Sequence, residues 1–213
     1  MNRKLHKLAV KHKTDKYNKP HTFNSMNYLD IYERYFTNLV NKPINILEIG
    51  VRLGCSLRMW KEYFPKAQIY GIDVRPDCKK HEEDRISIVI GPQEKPETIN
   101  NIVNKVNNFD IIIDDGSHIN KFTLASFKLL FPHLKHKGIY VIEDMRPTYI
   151  PLEDINVREK WFGGPWIDKT VNINNDRNDM MNFFKEKLED LDFSKGDIMS
   201  IQFWSQLCFI IKC

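Results

Sequence analysis

The chain has 213 residues, 42% hydrophobic and 28% charged, with a formal net charge of +4. That is room for one full domain with its own core, and so ordinary a composition excludes disordered, collagen-like and disulfide-stapled classes. No apolar run approaches the roughly 18 residues of a membrane span, no apolar stretch follows the basic start as in a signal peptide, and Cys55, Cys78, Cys208 and Cys213 have neither zinc-site nor disulfide spacing.

A reduced, cytoplasmic protein is therefore expected. The Lys/His-rich start reads as solvated surface, so neither nucleic acid nor membrane is expected as a partner.

In chain order, residues before 41 hold one or two helices with Tyr28, Ile31, Tyr32 and Phe36 as an apolar face. Exposed aromatics on such outer helices suggest a homo-oligomer. Within this stretch Thr14, Asp15 and Lys16 read as a turn or a capping start. Apolar runs at 44–49, 68–72, 86–90, 110–113 and 139–142 read as strands. Residues 57–63, stopped by Pro65, read as helix, and 98–106 and 123–134 carry apolar residues at helical spacing. Such alternation predicts a doubly wound, mostly parallel α/β sheet. Residues 146–171, with Pro147, Pro151, Gly163, Gly164 and Pro165 among Trp161, Phe162 and Trp166, read as a lid-like loop over the rim. A helix at 179–191 precedes two β-rich runs, 198–203 and 207–212, that form a C-terminal antiparallel hairpin and bring the count to seven strands. The division is 1–40 as an N-terminal helical extension packing on the core, and 41–213 as the main domain.

Motifs cluster at the strand ends, where open α/β sheets bind ligands. In ILEIGVRLG (46–54), Glu48 ends a buried strand, Gly50 opens a loop and Gly54 precedes a helix. Glycines admit close backbone approach, and a helix amino end favours negative charge. The spacing lacks the middle glycine of dinucleotide folds, which disfavours NAD, whereas a free carboxylate bonded by Ser56 fits. Asp73 closes the second strand, placed either to accept ribose hydroxyls or to cap the next helix. Gln93, after the third strand, either bonds an adenine edge or faces water. FDIIIDDGSHIN (109–120) and YVIED (140–144) both stop on carboxylates. Asp114, Asp115, Glu143 and Asp144 on one rim need a cation or a proton between them, and oxygen-rich sites suit magnesium or calcium. Either Asp114 or Asp115 could instead cap a helix beginning near Ser117. His118 could be a fourth ligand or a general base.

Taken together, TDK, LEIGVRLGCSLRMW, YGIDV, GPQ, IIIDDGSHI and FPHLKHKGIYVIED resemble the class I methyltransferases that use S-adenosylmethionine. More narrowly they resemble the metal-dependent sugar O-methyltransferases of the macrocin and mycinamicin type, over about 8–149. The resemblance implies a Rossmann-like sheet. It implies that Glu48, Gly50 and Ser56 hold the methionine part of the cofactor with Thr14 and Lys16 nearby, that Asp73 holds the ribose and Gln93 the adenine, and that Asp114 lies beside the sulfonium. Asp115, Glu143 and Asp144 would bind magnesium or another divalent cation, and His118 would be the base, with Asp115 as its catalytic partner. The acceptor would be a small sugar or polyol. The antibiotic enzymes carry an added amino-terminal domain, while this chain begins almost at TDK, and Arg146 and Pro147 replace small polar residues. A different acceptor is therefore expected. Alternative readings are a phosphorylated or phenolic acceptor and a catalytically silent cofactor-binding subunit.

Overall fold

The structure, a computed structural model, describes residues 4–17, 27–149 and 175–213. Seven strands form one sheet in the order β3-β2-β1-β4-β5-β7-β6. They are β1 (Asn45–Ile49), β2 (Gln68–Asp73), β3 (Ile86–Ile90), β4 (Phe109–Asp114), β5 (Leu134–Ile142), β6 (Ile198–Trp204) and β7 (Leu207–Lys212). β1 to β5 run parallel, and β7 pairs antiparallel with both β5 and β6. This is the doubly wound sheet with a terminal hairpin that the alternating pattern predicts.

Because side chains alternate across a strand, the isoleucine-rich strands feed two cores. Ile46, Ile111, Ile113, Ile139, Val141 and Phe209 face α1 (Lys4–His12), α2 (Tyr28–Phe36) and α3 (Cys55–Tyr63). Leu47, Ile49, Ile112, Tyr140, Ile142 and Ile210 face α4 (Pro96–Val103), α5 (Asn120–Leu130) and α6 (Arg177–Asp192). The first helices are thus part of the main core. Asn27 and Asp30 form a capping box that starts α2. Tyr28, Ile31, Tyr32 and Phe36 are all buried in the chain's own interior, so these aromatics carry no argument for association.

Several boundaries shift by two or three residues, and those between the fifth helix and the fifth strand shift most. The helix expected to reach 134 ends at Leu130, and β5 starts at Leu134 rather than 139. Leu134 pairs with Phe109, and an irregularity follows before Ile139 takes up regular pairing with Ile111. The polar Lys135, His136 and Lys137, with Lys137 at φ 59°, hide this stretch from apolar-run logic. The expected lid-like loop lies largely outside the described residues; residues 146–149 form a short 3-10 turn. No helix among the described residues is long and apolar enough to cross a membrane, and all four cysteines are outside disulfides.

Candidate active site

The strand order changes direction between β1 and β4, where open α/β sheets form a ligand crevice. Backbone bonds align that rim. Asp115 N–H donates to Ile49 O at 3.0 Å, Gly50 N–H to Ile72 O at 2.8 Å and Glu143 N–H to Asp114 O at 2.9 Å.

Strand parity then sorts the acids. Glu48 continues the face of Ile46, Asp115 that of Ile113 and Glu143 that of Val141, the side covered by α1, α2 and α3. There they meet Lys16. Its Nζ lies 2.6 Å from Asp115 Oδ2, 2.6 Å from Glu143 Oε1 and 3.1 Å from Glu48 Oε1. Lys16 is fully buried. Burial works against its charge, but Asp115, Glu143 and Glu48 hold its pKa well above the usual lysine value. Glu48, also buried, accepts a bond from Trp60 Nε1 at 3.0 Å, and burial raises its pKa against the pull of Lys16. The crowded carboxylates thus have a cation from the chain itself.

On the open side, His118 Nε2 lies 3.9 Å from both Asp115 Oδ1 and Asp144 Oδ2. Among the described residues two groups offer metal-ligand atoms within 4.8 Å of one another: Asp115, His118 and Asp144, and Glu48, Asp115 and Glu143. The second contains the Lys16 ammonium. Asp115 belongs to both, so Glu143 and Asp144 fall in different groups, whereas the sequence reading put them together. His118 and Asp144 both have left-handed backbone, with φ 55° and 51°. Such strain costs about 1–3 kcal/mol per residue and gathers at functional sites. Two residues absent from the sequence reading of the site complete it. Tyr28 donates to Asp144 Oδ1 at 2.7 Å, and Tyr32 donates to Glu143 Oε1. Helical spacing marked both as one apolar face, but nothing in that pattern shows where their hydroxyls end.

The expected cofactor residues divide. Gly50 opens the loop at φ 96°, and a Cβ there would meet the Asp115 carbonyl oxygen at 2.1 Å. The close approach that requires glycine is therefore to the chain's own backbone. Asp73 Oδ2 accepts from Val51 N–H and Arg52 N–H at 2.9 and 2.8 Å, and its Oδ1 from Arg75 N–H. Burial opposes its charge, but the Arg52 and Arg75 bonds hold its pKa below the usual aspartate value. Thr14 closes the turn that carries Lys16, accepting from its N–H at 3.5 Å. Ser56 is buried at the start of α3.

Gln93 and Asp114, expected at the adenine and beside the sulfonium, bond each other. Asp114 follows Ile112 onto the opposite face of the sheet and is buried there. Its carboxyl accepts from Ser126 Oγ at 2.8 Å and from Gln93 Nε2 at 3.2 Å, and burial raises its pKa. Gln93 Oε1 accepts from Ser117 N–H at 2.8 Å. Gln93 thus staples the DDGSH loop, and Asp114 anchors the base of that loop. Neither Asp114 nor Asp115 caps α5, which starts at Asn120 without a side-chain cap.

No family model matches the sequence. Over 154 residues the chain is 39% identical to demethylmacrocin O-methyltransferase of Streptomyces fradiae, a match covering 69% of this chain and 38% of that protein. It is 45% identical over 127 residues to mycinamicin VI 2''-O-methyltransferase of Micromonospora griseorubida, covering 56% of this chain and 32% of the relative. Among solved structures, the MycE methyltransferase of the mycinamycin biosynthetic pathway, in complex with Mg and SAH, superposes with a TM-score of 0.74 at 31% identity. That match covers 98% of this chain and 54% of the other. The chain thus corresponds to a third to a half of the length of these proteins.

Proposed function

The chain is homologous to the sugar O-methyltransferases of the macrocin, mycinamicin and tetracenomycin type and has the class I methyltransferase fold, and on that premise we propose that it methylates a sugar or polyol hydroxyl with S-adenosylmethionine and a divalent cation. The observation that carries this reading is the convergence of Asp115, His118 and Asp144 at the switch point of the sheet, beside the Gly50 loop.

The carboxylates of Asp115, Glu143 and Asp144 are oxygen donors suited to magnesium or manganese, with an oxygen of Asp115 within 4.8 Å of one on each of the other two. Asp115, Glu143 and Asp144 would hold the ion, which supplies the positive charge that acidifies a nearby hydroxyl. S-Adenosylmethionine supplies the methyl group. It would lie over β1 and β2, with Gly50 at the loop and Asp73 at the ribose.

The side chains do the rest. His118 Nε2 removes the acceptor proton, and Asp115 and Asp144 on either side stabilise the imidazolium that forms. The Gly50 loop and the DDGSH loop orient donor and acceptor in line, which can contribute on the order of 7–11 kcal/mol.

Thermal unfolding tests the cofactor assignment. S-adenosylhomocysteine at about 100 times its Kd stabilises by roughly 2.7 kcal/mol, which raises the Tm of a chain this size by roughly 5–11 °C. NAD is expected to leave it unchanged; the reverse result sinks the reading. Methyl transfer to a panel of sugars is expected to stop in chelator and return with magnesium. Full turnover in chelator rules out the metal role.

A second reading, an acceptor bearing a phosphate, has one observation in its favour. A cavity of about 300 Å³ beside Asp144 is lined by Met145, Arg146, Arg177, Phe203, Trp204 and Gln206. Two guanidiniums suit the fork geometry of a phosphate. On this reading Arg146→Gln raises KM for a sugar phosphate about tenfold or more at unchanged kcat, the value of one charged hydrogen bond. Equal KM values for wild type and variant remove the second reading and leave the first.

A further inference from the structure

We infer that Gln93 and Asn175 are positioning residues for His118: each ties a backbone N–H close to it in the chain, and together they hold the imidazole at the acid rim. The inference rests on the reading of His118 as the base and names what keeps that base in place.

His118 stands in a left-handed conformation, at φ 55°. Glycine adopts that conformation without strain, whereas a side chain persists in it only where its surroundings over-determine it. Here two buried amides close on the segment, one from each side. Gln93 Oε1 accepts the Ser117 N–H at 2.8 Å, one residue before His118. Asn175 Oδ1 accepts the Asn120 N–H at 2.7 Å, two residues after it. Between these points Ser117 Oγ accepts the Ile119 N–H at 3.3 Å.

Each amide is also fixed at its other end. Gln93 Nε2 donates to Asp114 Oδ1 at 3.2 Å and to Ser126 Oγ at 3.1 Å. Gly116 leaves it room, since a Cβ there would meet Gln93 Oε1 at 2.4 Å. Asn175 Nδ2 donates to Pro147 O at 3.0 Å. Gln93 is 7% exposed and Asn175 4%. Buried amides are bonded wherever they lie, so burial alone assigns them nothing. Their placement does. Gln93 follows β3 and Asn175 precedes α6, and the two N–H groups they hold bracket the strained residue. The imidazole so held keeps Nε2 at 3.9 Å from both Asp115 Oδ1 and Asp144 Oδ2. A displacement of about 1 Å at such a group can cost on the order of 100-fold in rate.

The test uses the full chain with Gln93→Met and Asn175→Leu, which keep much of the volume and remove the acceptor. One readout needs neither cofactor nor acceptor: the Cε1–H resonance of His118 in the NMR spectrum, assigned with His118→Asn. It is expected to move or broaden in both variants. The other is turnover of an acceptor that wild type methylates. There kcat should fall about 10- to 100-fold, with the Kd for S-adenosylhomocysteine within threefold of wild type. A purely structural role would lower Tm and leave the resonance and kcat of the folded protein alone. If one variant does not fold, the other still decides, because each amide holds a different N–H. An unmoved His118 resonance overturns this inference alone. So does a Gln93→Met variant that weakens S-adenosylhomocysteine binding at unchanged kcat, which makes Gln93 a cofactor contact. A moved resonance with kcat within threefold of wild type overturns the base reading and this inference with it.

Discussion

Replacing Lys16 by methionine is expected to destabilise the fold by about 3–5 kcal/mol, the cost of breaking a buried ion cluster by removing one partner. For a chain of this size the Tm should fall by roughly 6–20 °C. Methionine fills much of the volume, so the loss is one of charge. Without the ammonium, Glu48, Asp115 and Glu143 face one another in a site closed to water on the α2 side. Such acids must take up protons or separate. The pH dependence has a definite sign. The lysine's folded pKa is raised, so its contribution is complete at every pH below the unfolded value of about 10.4 and is lost only as pH rises through the folded value. In the variant the carboxylates carry raised pKa values, so its deficit should shrink as pH falls from 7 towards 5. Denaturant unfolding at those two pH values reads both effects. A variant within about 1 kcal/mol of wild type at pH 7 would show that Lys16 is not the counter-ion.

Removing the base should abolish chemistry without emptying the cofactor site. Loss of general-base catalysis costs roughly 10²- to 10⁴-fold in rate. The backbone decides which variant measures it cleanly. His118 is left-handed, a conformation asparagine tolerates far better than alanine. His118→Asn is therefore expected to lose turnover with little change in Tm, while His118→Ala adds backbone strain. Both should bind S-adenosylhomocysteine as wild type does. The limb of the pH–rate profile that reports the base should vanish in the asparagine variant. Turnover within tenfold of wild type would reassign His118 to a ligand or structural role.

Much of the site was legible because strand chemistry is local. Ile-rich runs that stop on acids mark buried parallel strands and the edge at which they end. Parity could have gone further. Counting by twos from Ile46, Ile113 and Val141 puts Glu48, Asp115 and Glu143 on one face of the sheet, and counting from Ile112 puts Asp114 on the other. That count separates the two aspartates of DDGSH from sequence alone. It does not find Lys16, 99 residues from Asp115 and 127 from Glu143.

What the chain's sequence determined by itself is the order of strands and helices, the carboxylate rim and the need for a cation there, since these come from periodicity and from like charges at neighbouring strand ends. Only the tertiary structure decided which cation stands among the inner acids and which oxygens are tied. It also showed that Gln93 and Asp114 bond each other at the base of the DDGSH loop. The reason is physical: a helix pattern specifies which face is buried, but the atom at the tip of a buried lysine or tyrosine bonds whatever the packed elements bring to it. That partner is set by how α2 docks on the sheet, across more than a hundred residues of chain.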